Sequence, residues 1–170
     1  MENKEDIIIK LGLLFYFCSI FGYIYELILH FFNKGIIFSC GILNGPWLPI
    51  YGVGSILIIT LYKKYHNKPL IIFILSFFLT GILELISGFI LDKIIHKRLW
   101  DYSKRFLNIN GYVCLLSAFC FGIGGLIIIY LIYPFIKKVF NNFTNKALKI
   151  ILITISIIFA LDIILTIINM

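Results

Sequence analysis

Charge is scarce in this sequence. Only 14% of its 170 residues are Asp, Glu, Lys or Arg, against 61% hydrophobic, where a soluble domain carries about 25% charged and about 45–50% apolar residues. So few charges cannot coat a globule of this size in water, which excludes an ordinary soluble fold and makes lipid the solvent for most side chains. Phosphate-loop chemistry is missing too. No G-x-x-x-x-G-K-[ST] string occurs, so ATP hydrolysis by this chain is not expected. The cysteines, Cys18, Cys40, Cys114 and Cys120, form no C-x-x-C pair, and three lie in apolar stretches. They read as small buried apolar residues. With no H-E-x-x-H string and no His/Cys cluster, neither a metal nor a cofactor is expected.

What is present is apolar sequence in runs. Five stretches stand out, at residues 11–32, 48–62, 69–91, 112–136 and 148–168. Each of the other four approaches or exceeds the 20 or so residues a bilayer needs, while the second is short. The pattern predicts an all-α polytopic bundle of about five transmembrane helices, one transmembrane domain over residues 1–170. The first stretch is too long for a signal h-region and lacks a small-residue cleavage site, so it is expected to remain as a helix. Ahead of the second stretch, Gly45-Pro46-Trp47-Leu48-Pro49 cannot be a regular helix interior. An irregular or re-entrant loop is expected there, which a membrane tolerates only where protein or water covers the backbone.

The net charge of +7 sits in short loops, as at Lys63, Lys64 and Lys68 or Lys137 and Lys138. Headgroup contact and topology account for that placement better than nucleic acid does. With five crossings, nine Lys and Arg fall on the side of the N-terminus and six on the other. The positive-inside rule then puts the N-terminus in the cytoplasm and the C-terminus outside.

The acids inside apolar helices carry the chemistry. Glu26, Glu84 and Asp162 are costly at that depth and need a partner or a role. At 1.5 Å per residue they lie about 21–24 Å along helices that run the same way, hence at similar depth. Ser19, Tyr23, Glu26, His30 and Asn33 share one stripe of the first helix, and Ser76, Thr80, Glu84 and Ser87 one stripe of the third. Thr154, Asp162, Thr166 and Asn169 form a thinner stripe on the fifth. Converging stripes predict a polar cavity in which Glu26 and Glu84 face each other. Interhelical hydrogen bonding with close packing is the alternative, favoured for the Ser and Thr positions. His30, one turn beyond Glu26, suits a charge pair, a proton relay or a structural hydrogen bond. Asp92 to Gly111 is the other polar concentration. Trp100, Tyr102 and Phe106 with five Lys and Arg suit an interfacial segment, while Asp101, Asn108 and Asn110 are more specific than a belt requires. Asn44-Gly45 and Asn110-Gly111 close comparable loops after the first and third helices, a faint parallel repeat.

Several strings carry a resemblance. Gly22 to Glu26 reads Gly-x-x-x-Glu, and Glu84 to Gly88 reads Glu-x-x-x-Gly. Between them stands Gly45-Pro46-Trp47-Leu48-Pro49-Ile50-Tyr51-Gly52-Val53-Gly54. Trp100-Asp101-Tyr102-Ser103, Asn108, Gly111 and Cys114-Leu115 follow in order. In these the chain resembles the ABC-transporter type IV family (CmpB type) over residues 15–125. It departs at Phe106, Tyr112 and Phe121, where that pattern has Pro, Arg and Trp. The resemblance implies a permease-like membrane subunit in the lipid bilayer; in an ABC system its ATPase would be a separate chain contacting the cytoplasmic loops. The candidate binding residues are Glu26, His30, Glu84, Asp162, Asp101, Asn108 and Asn44. An intramembrane enzyme acting on a lipid or isoprenoid headgroup through Glu26, Glu84 and Asp101 is the second reading, although no nucleophile–base pair is visible. An accessory protein that binds another membrane protein is the third.

Overall fold

In a bilayer every backbone N–H and C=O has to be satisfied within the chain, and a helix does this with local bonds alone. The computed structural model describes residues 3–34, 41–96 and 98–169, and helices fill most of them. They are α1 (Lys4–Lys34), α2 (Pro49–Tyr65), α3 (Pro69–Ile95), α4 (Leu115–Phe140) and α5 (Asn145–Ile168). Four are long and apolar enough to cross a membrane, and α2 is the short one. Cys40 and the side chain of Asn33 lie outside the described residues. Large apolar side chains such as Ile157, Leu161 and Ile168 are more than half exposed, and only 6% of the apolar window of α5 is buried. A surface of that kind is stable against lipid and not against water.

Helix ends follow local chemistry. Pro69 opens α3, where a missing N–H costs nothing. Cys114 and Ser117 cap α4 reciprocally, the Cys114 N–H donating to Ser117 Oγ at 3.1 Å and the Ser117 N–H to Cys114 Sγ at 3.4 Å. Thr144 accepts the Ala147 N–H ahead of α5. Inside α4, Ile128–Ile132 forms a π turn just before Pro134, with the Tyr133 N–H donating to the Ile128 carbonyl. The widened turn accommodates a proline that can neither donate nor tolerate regular packing on the preceding turn.

The chain folds as two compact units, residues 1–53 with 136–170, and residues 54–135. In the first, α1 and α5 run parallel. Lys149 Nζ lies 2.6 Å from Glu5 Oε1 near the start of both helices, and Tyr16 Oη donates to Ser156 Oγ at 3.1 Å further along. Ile9, Leu13 and Leu148 form a buried cluster between them, flanked by Phe140 and Leu152. In the second unit α3 and α4 are antiparallel. Glu84 meets Ser117, and the ring of Phe73 lies against Gly122. In the same unit Gly54 of α2 lies against Thr80 and Leu83 of α3.

Two readings of the sequence are corrected. Cys120 is exposed, unlike the buried Cys18 and Cys114, because it turns to the lipid-facing side of α4. Thr154 is likewise exposed, and Ser156 takes the inward position on α5 by pairing with Tyr16.

Candidate functional site

The unwound stretch before α2 bonds its backbone to partners on distant helices. Residues 41–48 are non-helical, and Pro49 is the first residue of α2. The Gly45 N–H donates to both carboxylate oxygens of Asp162, at 3.1 and 3.0 Å. Asn44 donates to Thr166 Oγ1 through its backbone N–H at 3.3 Å and its side-chain amide at 2.8 Å. The Leu48 N–H reaches the Ser19 carbonyl on α1 at 3.1 Å. Trp47, 7% exposed, wedges its ring against Tyr16 and Phe159 in edge-on contacts at 6.1 and 5.6 Å. Asp162, Thr166 and Asn44 are therefore brought together, and their geometry is that of a backbone clamp. A carboxylate accepting a backbone N–H is a charge-assisted bond, stronger than its neutral counterpart.

Glu26 belongs to the same unit. Tyr51, in the first turn of α2, donates its hydroxyl to Glu26 Oε1 at 2.6 Å. One turn earlier on α1, a Cβ on Gly22 would lie 2.2 Å from Tyr51 Cγ. The Gly-x-x-x-Glu spacing is thus a seat for one tyrosine, in which glycine admits the ring and glutamate takes the hydroxyl. His30 is half-buried one turn beyond Glu26.

Glu84 belongs to the second unit and is 3% exposed. Ser117 Oγ, in the first turn of α4, donates to Glu84 Oε2 at 2.8 Å. That turn is where peptide dipoles present their positive end, which suits a carboxylate. Of the α3 stripe, Ser76 (0%), Thr80 (4%) and Glu84 are buried and Ser87 is half-buried, and Ser19 on α1 is at 0% exposure. Ser19, Thr80 and Ser87 donate back to carbonyls four residues earlier, satisfying themselves locally. Glu26 and Glu84 thus each hold a hydroxyl partner in the first turn of the following helix, each within its own unit.

Asp101 and Asn108 fold the loop between α3 and α4. Asp101 Oδ1 accepts from the Ser103 N–H at 2.9 Å and from the Ser103 hydroxyl. Asn108 donates to the carbonyls of Ser103 and Arg105, and its Oδ1 accepts the Gly111 N–H at 3.1 Å. Gly111 sits at φ +75°, where a Cβ would be 2.6 Å from Asp101 Oδ1 and Ser103 Oγ. Glycine is required there on both counts. Arg98 lies 3.3 Å from Asp92 and 3.6 Å from Asp101, with its guanidinium 4.8 Å over the Tyr112 ring. Tyr112 Oη donates to Asp92 at 2.7 Å, and Trp100 Nε1 to the Tyr112 carbonyl at 2.8 Å. The two Ser103 donors, with Arg98 beyond them, hold the Asp101 carboxyl below its usual range. The bond to Asp92 pushes the Tyr112 hydroxyl up.

Tyr51, Ser117, Ser156 and Tyr112 are the hydrogen-bond partners that reading the sequence missed. Tyr51 stands inside a recognisable string, but no spacing rule ties it to Glu26 across 25 residues. A family model described as "Putative ABC-transporter type IV" matches residues 13–167. No curated protein and no solved structure matches the chain significantly.

Proposed function

We propose, from the premise that the chain belongs to the ABC-transporter type IV family, that this multi-pass membrane protein is the permease-like subunit of a transporter in the cell membrane. On this reading Glu26 in the first unit and Glu84 in the second are the acids that act in transport. The observation that carries the reading is Glu84, an acid 3% exposed in the middle of an apolar helix. Burying an acid there is costly, and ordinary packing does not require it. Asn44, and His30 one turn from Glu26, extend the polar lining of the first unit. Because this chain has no phosphate loop, ATP hydrolysis on this reading belongs to a separate chain docked on the basic loops. With α2 and its unwound lead-in counted as a crossing, nine basic residues against six favour a cytoplasmic N-terminus.

The test is purification of the full chain from its native membranes after cross-linking, with reporter fusions at both ends. A stoichiometric partner that carries a phosphate loop supports the reading, and its absence overturns the ATP-driven form. In a deletion strain, wild type should restore the lost transport phenotype and Glu84→Gln should not, at equal membrane abundance. Full rescue by Glu84→Gln would make the acid a packing element.

A further inference from the structure

We propose that the end of α3 and the loop that follows it bind one phospholipid with an anionic headgroup, an inference independent of what the protein transports. Leu85, Ile86, Phe89, Ile109, Asn110 and Tyr112 line an open cavity of about 330 Å³. That volume lies within the range of about 300–1,000 Å³ typical of small-molecule sites. Its lining is apolar except for Asn110. Ile86 and Phe89 belong to the membrane-spanning part of α3 and are half exposed, so the cavity opens toward lipid and not toward an aqueous path.

The segment beside the cavity carries both signs of charge, with basic residues in excess. Leu85, Phe89 and Lys93 follow one another at one-turn intervals on α3, so the stripe that forms one wall ends in a cation about 12 Å from its start. Lys93 Nζ stands 5.8 Å from the centroid of the Phe89 ring. Tyr112, the aromatic side of the opposite wall, is held in place by its bond to Asp92 and by the guanidinium over its face. The nearby acids, Asp92 and Asp101, both face Arg98. Lys93, which Asp92 also feels electrostatically, is a cation beside the Phe89 wall, and Lys104 and Arg105 follow in the same loop. From Asp92 to Arg105 the sequence has five Lys and Arg against two Asp. An apolar slot ending in a lysine, in a net basic surround, complements an acyl chain joined to a phosphate. A soluble anion would leave the slot empty, and a zwitterionic lipid would forgo the excess charge.

The test uses the full chain in neutral detergent with phosphatidylglycerol, phosphatidylcholine or inorganic phosphate, read by native mass spectrometry of retained lipid. Wild type should retain phosphatidylglycerol over phosphatidylcholine. Lys93→Gln should lower phosphatidylglycerol retention about fivefold and leave phosphatidylcholine unchanged. Ile86→Trp, which fills the slot, should lower retention of both lipids. Inorganic phosphate should not displace the bound lipid. Equal retention of the two lipids by wild type, undiminished retention by Lys93→Gln, or displacement by phosphate alone would each overturn the proposal. Lys93 is exposed, so its variant folds and decides the matter even if Ile86→Trp does not insert.

Discussion

Replacing Asp162 tests whether that acid clamps the backbone of the unwound stretch. In Asp162→Ala the Gly45 N–H loses both of its acceptor oxygens, at 3.1 and 3.0 Å, within a protein whose outer solvent cannot replace them. A lost hydrogen bond to a charged group costs about 1.5–3 kcal/mol. Asp162 is half-buried, so about 2 kcal/mol is the appropriate figure within that range. For a chain of this size that lowers the melting temperature by about 4–8 °C. Asp162→Asn keeps an oxygen in place but makes the bond neutral, roughly halving it, so a shift of about 2–4 °C is expected. The assay is thermal unfolding followed by Trp47 fluorescence in a Trp100→Phe background, since Trp47 packs on Phe159 one turn from Asp162. A cysteine placed at Leu48 should be protected from a membrane-impermeant reagent in wild type and labelled in Asp162→Ala. Melting of Asp162→Ala together with wild type would refute the clamp. So would an Asp162→Asn variant as damaged as Asp162→Ala, because the charge and not the hydrogen bond would then matter.

Gly22→Ala should destabilise the protein by about 1–3 kcal/mol through overpacking, and Tyr51→Leu should remove most of that penalty, as a double-mutant cycle of melting temperatures would show. Gly111→Ala forces a side chain into φ +75° against Asp101 and Ser103; a loss of about 1–2 kcal/mol and faster amide exchange at Tyr102 are expected. Asp101 has a folded-state pKa below its unfolded value, so its contribution is complete above the ordinary carboxylate range and is lost as pH falls through the lowered value. Trp100 emission in a Trp47→Phe background should therefore stay constant from neutral to mildly acidic pH and change only in strong acid. A midpoint near neutrality would contradict the Ser103 bonds.

Composition alone determined the class of this protein. With 14% charged residues and apolar runs of bilayer length, lipid is the only solvent that fits, and in lipid a helix is the cheapest way to satisfy a backbone. The proline string at 46–49 marked where the helix had to fail, because ring and missing N–H are properties of the residue itself. The buried stripe of Ser76, Thr80 and Glu84 was legible for the same reason, since the helical period is local. Local period also misled, as at Thr154 and Cys120, because it says which residues share a face and not which face turns inward.

The partners were decided by tertiary structure. Nothing local links Glu26 to Tyr51, Glu84 to Ser117 or Gly45 to Asp162, separated by 25, 33 and 117 residues. Asp162 on its own helix gave no sign of the Gly45 N–H that it accepts. Asp101 and Asn108 likewise gave no sign of the turns that they hold around Gly111. A polar residue in an apolar run announces that it needs a partner, because leaving it unpaired in lipid is costly. Only the packing of distant helices determines which partner it finds, since that choice is made by side-chain reach across space and not by position along the chain.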